Sequence, residues 1–493
     1  MNNYEKFAAI SKGNRRDFLS TLGLALGATA FPWSQIEAGL LDPSIQRKKQ
    51  GATIRVVFLY PPSKTFADNP DGWWSWPGND YDAEGHQQKY TKVLREFEKK
   101  HNLKLKIDKK SVSGAKDTQK VIQQIQTNRP DGLLLIMFYN GSLSQANLLL
   151  KASEELNIPT VFFIGLGVKH GPVDHYRRPG VYFIQSLDNL KAIELGLRMI
   201  NTRKHLSQSR LLSITEAKNT SENTESFLGI KVRKVPFARY AEFFHQADIN
   251  KKAHKLIKSL TDNAIEIRGV TTESLQNAMR AHFALKKLLQ NEDADGLAMN
   301  CLKRGMLKPC VSFSLLNDQL ITATCENDLP AAYTQMLGQS LVRRPGFQHN
   351  PCFETEKNHY YASHCTCPTK VYGPDGSQLK YLLRRFAHTN EGSCAIQAFW
   401  QKDDPVTMVH YYPGAKPKLD VYAGRVVQSH PMPPAAGCTT NVEIEITDRP
   451  DACMVKGHHN LLFCGDYARH FRLFAQLHRM ELSDSNYKGP WPI

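Results

Sequence analysis

Short, unbroken apolar runs separated by helical patterns constrain the fold of this chain more than any other feature. Such runs occur at residues 54–60, 132–139 and 160–165. Apolar runs of this length are typical of strands that are buried on both faces of a parallel sheet. Residues 84–101 and 118–127 lie between the strands and have helical periodicity. The alternation predicts a doubly wound α/β domain over residues 50–180.

Two further regions follow, and their patterns differ. Residues 181–370 continue the α/β alternation, with strands expected at 210–214, 230–235, 295–301 and 310–315 and helices at 251–260 and 272–291. From residue 371 the apolar residues alternate with polar ones, at 395–400, 406–412, 419–427 and 441–446, before a closing helix at 468–478. The prediction is an α/β protein in which two doubly wound Rossmann-like domains precede a β-rich C-terminal domain, 371–493.

The N-terminus has the pattern of an export leader. Arg15-Arg16 and Phe18-Leu19 precede an apolar run at 22–31, which matches a twin-arginine signal. The run is too short for a comfortable membrane span. We expect residues 1–38 to hold the signal and the start of a linker, and the mature chain to work in the periplasm without stable membrane insertion. An ordinary N-terminal helix and an uncleaved anchor are the alternatives.

Composition and charge indicate an ordinary globular protein. Hydrophobic residues make up 41% and charged residues 22% of the chain, which separates it from disordered sequences. The formal net charge of +16 could favour an anionic surface or polysaccharide. Its basic residues are scattered, and no basic tract is interleaved with aromatic residues, so a nucleic-acid partner is not expected.

All ten cysteines lie between Cys301 and Cys464. An oxidising compartment permits disulfides, but the pairing cannot be read from the sequence. Buried thiols are the other interpretation. Cys365 and Cys367 are separated by one residue rather than the two of a zinc knuckle, so structural zinc is not expected.

A set of local motifs in the C-terminal half resembles the L-fucose/L-arabinose isomerase superfamily, especially its fucose-isomerase-like branch. The resemblance covers roughly residues 290–480, whereas residues 50–290 match only in architecture. The motifs that carry it are Cys325-Glu326-Asn327-Asp328, Ser363-His364-Cys365-Thr366-Cys367-Pro368, Gly437-Cys438-Thr439-Thr440 and Gly457-His458-His459-Asn460.

The resemblance implies that Glu326, His364 and His459 bind a divalent metal, with Mn²⁺ expected. A carboxylate and two imidazoles suit such an ion, which would hold two sugar oxygens and polarise the carbonyl. A carboxylate would then move a proton between C1 and C2 through an enediol. We assign the catalytic carboxylates to Glu326 and Asp328, although Asp328 could instead be a ligand or support the site. Each of these residues also has an ordinary interpretation as a paired or structural side chain.

Substrate contacts are expected from His458 and from the aromatic cluster at 73–76. Trp74 and Trp76 could form a platform on which a sugar ring stacks, or could equally pack within a loop or at an oligomer contact. The partner implied is a monosaccharide or related carbohydrate. Members of the family commonly assemble into oligomers, so a homo-oligomer is possible.

The chain departs from the family at one place. These isomerases carry another carboxylate about two dozen residues before Glu326, where this sequence has no acid between residues 298 and 304. Asp318, Glu354 or Glu391 could substitute for it, and Lys303 or Arg304 could replace part of the metal's charge. The expected function is an exported aldose–ketose isomerase. The alternatives are a non-catalytic sugar-binding protein and a lyase, epimerase or hydrolase that uses the same metal site.

Overall fold

The computed structural model describes residues 48–68, 78–302, 307–386, 392–432 and 437–483. The predicted leader lies outside these ranges. So do Trp74 and Trp76, proposed as a sugar platform, and the candidate residues Lys303, Arg304 and Glu391.

The N-terminal region contains a five-stranded parallel sheet in the order β2-β1-β3-β4-β5. Its strands are β1 (Thr53–Leu59), β2 (Lys104–Ile107), β3 (Gly132–Met137), β4 (Thr160–Gly165) and β5 (Val181–Ser186). Its helices are α1 (Lys64–Ala67), α2 (Ala83–Lys100), α3 (Ala115–Thr127) and α4 (Leu143–Glu155), with short 3₁₀ helices at Asn140–Ser142 and Asp174–Tyr176.

Both faces of this first sheet are buried, as its continuous apolar strands predict. Val56 and Phe58 of β1 face a core that includes Tyr90 of α2, whereas Val57 and Leu59 face a second core on the other side of the sheet. Successive residues of a strand point to opposite faces, so each face needs its own covering helices. The parallel α/β arrangement expected for this region is confirmed.

A second sheet, in the order β11-β10-β6-β8-β7, is parallel except for the antiparallel edge strand β7. The strands of this region are β6 (Arg210–Thr215), β7 (Ser221–Thr224), β8 (Lys231–Pro236), β9 (Ile267–Arg268), β10 (Gly296–Met299) and β11 (Thr322–Thr324). Its helices are α5 (Leu190–Ser207), α6 (Phe237–Gln246), α7 (Lys251–Asp262), α8 (Thr272–Asn291), α9 (Cys310–Asp318) and α10 (Leu329–Val342).

One secondary-structure prediction in this region is wrong. Residues 310–315 were expected to form a strand because apolar and small polar residues alternate there, but they form the first part of helix α9. Both apolar Phe313 and polar Ser312 and Ser314 are buried in this helix. A helix that is buried nearly all round has no polar stripe, so the sequence does not display the 3.6-residue period.

The C-terminal region is antiparallel. Six strands pair in the order β16-β19-β12-β13-β18-β17, and a further pairing of β16 with β17 closes them into a barrel. Its elements are β12 (Phe347–Glu354), β13 (His359–His364), β14 (Lys380–Arg385), β15 (Cys394–Phe399), β16 (Pro405–Tyr412), β17 (Lys418–Ser429), β18 (Thr440–Ile446), β19 (Asn460–Cys464), α11 (Ala468–Leu477) and β20 (Glu481–Leu482), with a 3₁₀ helix at Ala452–Met454.

Two pairings add to this barrel. Strand β20 extends β17 in parallel, and β14 and β15 form a small separate sheet with β9. Strands β12 and β13 belong to the barrel although they precede residue 371, where the β-rich region was expected to begin. Across the residues that the structure describes, no helix has the length and apolar character needed to cross a membrane.

Candidate metal centre

Glu326 lies in a tight turn at the carboxyl end of β11. Its φ is +61° and that of Asn327 is +52°, in the left-handed region that few non-glycine residues adopt. The turn is fixed because the Asn327 N–H donates to the Met299 carbonyl at 2.9 Å, and Ser213 Oγ donates to Asn327 Oδ1 at 3.0 Å. The segment that contains Glu326 is therefore a turn and not an extended strand.

The two histidines come from the barrel. His364 is the last residue of β13, and His459 immediately precedes β19 with a φ of +60°. Each residue is 2% exposed, and their rings are nearly perpendicular with centroids 5.3 Å apart. The carboxyl end of a parallel strand is a common position for ligand sites, and here it meets the ends of two barrel strands.

The structure brings all three predicted metal ligands together. Glu326 Oε1 lies 3.7 Å from His364 Nε2, and Glu326 Oε2 lies 3.5 Å from His459 Nε2. One ligand atom from each residue lies within 4.8 Å of the others. The carboxylate thus faces both imidazole nitrogens at distances longer than ordinary hydrogen bonds. A cation could bind between these three groups.

The state of His459 Nε2 supports this interpretation. Within the described ranges this nitrogen is buried and has no hydrogen-bond partner. A buried polar atom without a partner costs free energy, and such atoms in native proteins normally have a hydrogen-bond partner. A divalent cation would do so, because a neutral imidazole nitrogen is a good ligand for Mn²⁺, Fe²⁺ or Zn²⁺. The residues present therefore fit a metal ion, while the donor set does not identify which ion binds.

Asp328 orients His459. Its Oδ2 lies 2.8 Å from His459 Nδ1, and its Oδ1 accepts the backbone N–H of Ala331 at 2.8 Å, which caps helix α10. A carboxylate that accepts the Nδ1–H of a histidine fixes the tautomer and directs the Nε2 lone pair outward. Asp328 thus contacts the candidate ligand His459 through one carboxylate oxygen and the first turn of α10 through the other.

The protonation states also suit a cation. The neighbouring His364 lowers the pKa of Glu326 despite the partial burial of the carboxyl group, and His459 adds to the effect. Burial lowers the pKa of His364. An ionised carboxylate and a neutral imidazole are the forms that bind metal.

His458 is exposed and lies beside the centre, with its ring centroid 4.2 Å from that of His459. Its predicted contact with sugar stays a prediction. Two other histidines of the barrel region, His410 and His430, differ in their contacts. His430 Nε2 pairs with Glu443 at 2.7 Å, whereas the buried His410 Nδ1 has no hydrogen-bond partner within the described residues.

A disulfide lies beside Glu326. Cys301, just after β10, forms a disulfide with Cys325, which precedes Glu326. Asp318 is committed elsewhere, since it accepts hydrogen bonds from Thr369 and Lys370, and burial raises its pKa to about 6.

Glu354 is also remote from the centre. It pairs with His359 at the opposite end of β13 from His364, which corresponds to roughly 17 Å along the strand. Neither Asp318 nor Glu354 therefore replaces the additional carboxylate.

Sequence reasoning did not find the Cys301–Cys325 disulfide. The sequence has no local signal for it, because β11 was not predicted and only the structure shows that β10 and β11, which precede the two cysteines, are neighbours. Cys301 lies two residues beyond β10 and Cys325 one residue beyond β11, and their Cα atoms are 6.2 Å apart, within the range that a disulfide needs.

A comparison with protein-family models and with curated proteins matches this chain to none of them.

Proposed function

We propose that the protein is a divalent-metal-dependent sugar isomerase, an aldose–ketose isomerase of the L-fucose/L-arabinose type, with Mn²⁺ as the cation. The observation that carries the proposal is the convergence of Glu326, His364 and His459 from two separate sheets around an unpartnered imidazole nitrogen. The finer division into two Rossmann-like domains and a β-rich domain, export to the periplasm and homo-oligomer formation belong to the same proposal.

The accessibility of the ligands suggests which one meets substrate. The side chain of Glu326 is 25% exposed, whereas those of His364 and His459 are each 3% exposed. His364 and His459 would hold the cation together with Glu326, and the cation would supply Lewis-acid polarisation of the sugar carbonyl.

Proton transfer is assigned to Glu326, the accessible carboxylate. It would accept a proton from C2 of an open-chain aldose and return it to C1, while the hydroxyl proton at O2 passes to O1. Asp328 would keep His459 in the tautomer that points Nε2 at the centre. His458, exposed beside the centre, would contact the sugar hydroxyls.

A second candidate function is favoured by a specific observation. The disulfide Cys301–Cys325 stands where the family's second carboxylate would be expected, and the centre contains one carboxylate among its candidate ligands. A site with one base fewer would bind sugar without converting it, or would catalyse a related reaction. The alternative is thus a sugar-binding protein, or another carbohydrate-active enzyme, built on the same centre.

Metal analysis of the purified, folded chain tests the proposal. We expect near-stoichiometric divalent metal in the unaltered chain, and its loss in the Glu326→Gln and His364→Ala variants. His430→Ala is the matched control, because His430 pairs with Glu443 rather than with the centre. The metal-loaded chain should then convert aldoses to ketoses, monitored by NMR of a sugar panel.

The outcomes separate the candidates. A folded chain that takes up no divalent metal would exclude the isomerase mechanism. Bound metal and sugar affinity without turnover would favour the sugar-binding protein.

A further inference from the structure

Thiols line the side of His364 that faces away from Glu326. Cys365 Sγ lies 3.7 Å from His364 Nδ1, whereas His364 Nε2 faces Glu326. Cys310 Sγ donates to Cys365 Sγ at 3.5 Å, and Cys438 also contacts Cys365. The His364 imidazole therefore has a carboxylate near one ring nitrogen and thiols near the other.

Cys325 completes a second group of donor atoms. One ligand atom each from Cys325, His364 and Cys365 lies within 4.8 Å of the others, and all three residues are buried. Two sulfurs and one imidazole nitrogen are the donors that thiophilic cations such as Zn²⁺ or Cu⁺ prefer. While Cys325 is bonded to Cys301, however, it has no thiolate to offer.

We propose that reduction of the Cys301–Cys325 disulfide opens a thiolate metal site formed by Cys325, Cys365 and His364 Nδ1. An external dithiol would supply two electrons and two protons and would itself be oxidised to a disulfide, leaving Cys301 and Cys325 as thiols. Cation binding would then release the thiol protons of Cys325 and Cys365 and would replace the 3.2 Å contact between His364 Nδ1 and Thr366 Oγ1.

The two sites compete for His364. A neutral imidazole has one lone pair, so it binds a cation through Nε2 or through Nδ1 while the other nitrogen carries the proton. Binding at Nε2 serves the group with Glu326 and His459, and binding at Nδ1 serves the thiolate group. Reduction should therefore transfer the cation from oxygen and nitrogen ligands to sulfur ligands. The thiolate site does not depend on any sugar chemistry at Glu326.

Absorption of the Co²⁺-substituted chain tests this inference. Thiolate ligands give cobalt an intense near-ultraviolet charge-transfer band, which carboxylate and imidazole ligands do not. The metal-free chain would be titrated with Co²⁺ before and after treatment with a tertiary phosphine, which becomes a phosphine oxide with oxygen from water. Removal of the phosphine and a count of reactive thiols would establish that the disulfide has opened.

We expect the band to appear only after reduction and to be lost in Cys365→Ser. Cys453→Ser is the matched control, since Cys453 is an exposed thiol outside the cluster, and it should behave like the unaltered chain. Cys301→Ser gives a second test that needs no reductant, because it frees Cys325 permanently and should show the band directly. Circular dichroism would verify the fold of each variant.

The results distinguish this inference from the proposed function. Glu326→Gln should lose the metal of the oxidised chain and still give the thiolate band after reduction. A reduced chain with both new thiols but no band, or a band equally weakened in Cys453→Ser, would overturn the thiolate site. Absence of the band in Cys301→Ser, with Cys325 and Cys365 both shown by peptide mapping to be free thiols, would overturn it too.

Discussion

The same unusual backbone conformation occurs around the first parallel sheet and at the candidate metal centre, but in different residue types. In the described part of the chain before β6, the non-glycine residues with positive φ are Asn102, Asn157 and Asp188. Asparagine and aspartate tolerate this conformation better than other side chains. At the centre it is adopted by Glu326, which has no such tolerance, and by Asn327 and His459, whose residue types are found in it more often. The unfavourable backbone of Glu326, one of the three candidate ligands, must be held in place by the surrounding structure, as is common at functional sites.

The largest effect is expected from a substitution that destabilises the first parallel sheet and leaves the candidate metal centre unchanged. Phe163 of β4 is fully buried and packs against Tyr90, with ring centroids 5.8 Å apart. Phe163→Ala should lower the free energy of unfolding by about 3–5 kcal/mol, through lost burial and a cavity. Urea denaturation of the metal-free chain measures this. The folded variant should keep the metal affinity of the unaltered chain.

Glu326→Gln is the reciprocal change. It removes a ligand charge without removing volume, so metal should be lost while the free energy of unfolding of the metal-free chain changes little. If Phe163→Ala weakened metal binding as strongly as Glu326→Gln, the division into scaffold and centre would be wrong.

The same division explains what the sequence could predict. The strands β1, β3 and β4 and the long helix α8 follow from local apolar patterns, because each pattern matches the burial of its element. The helix α9 was not predicted, since it is buried nearly all round and therefore has no polar stripe to reveal its period. The three candidate ligands were identified through motifs that resemble a family. Their distances could not be predicted, because Glu326 and His364 are 38 positions apart in the sequence, and His364 and His459 are 95 positions apart. The turn at Glu326 and the bond from Cys301 to Cys325 are tertiary features that no local pattern displays.

Acid should weaken the barrel behind the centre. His349 is buried, its ring nitrogens contact the Phe347 carbonyl and the Tyr360 hydroxyl at 2.9 Å each, and burial lowers its pKa to about 3. The unfolded chain, with an ordinary histidine pKa near 6.5, binds the proton first as pH falls. The stabilisation is complete above pH ~6.5 and is lost progressively toward pH ~3, by a few kcal/mol.

Urea denaturation of the metal-free chain at pH 7 and at pH 4 measures this loss of folding free energy. His349→Gln should reduce the difference between the two pH values, while His254→Gln, at an exposed position of α7, should leave it unchanged. An equal difference in all three chains would contradict the assignment to His349.

Asp328→Asn separates the two tasks of Asp328. Asparagine is as good a helix N-cap as aspartate, so the free energy of unfolding should change little. It is a weaker partner for the Nδ1–H of His459, and loss of such a supporting carboxylate typically lowers metal affinity by about 10–100-fold. Calorimetric titration of the metal-free variant with Mn²⁺ measures the affinity. Asp328→Ala should lose both metal affinity and about 1 kcal/mol of stability. An Asp328→Asn variant with unchanged affinity would mean that Asp328 serves α10 alone.

The smallest expected effect compares one substitution at one backbone conformation in the two regions. Asn157 and Asn327 have φ values of +51° and +52°, and glycine adopts this conformation freely. Asn157 is exposed at the end of α4, so Asn157→Gly should change the free energy of unfolding by only a few tenths of a kcal/mol. Asn327→Gly should cost about 1–2 kcal/mol, because it removes the acceptor of the buried Ser213 hydroxyl at 3.0 Å. Paired urea denaturation of the metal-free variants measures the difference. Equal costs would show that the turn at Glu326 is held by its backbone alone, whereas a higher cost at Asn327 would show that side-chain contacts hold the ligand in its strained position.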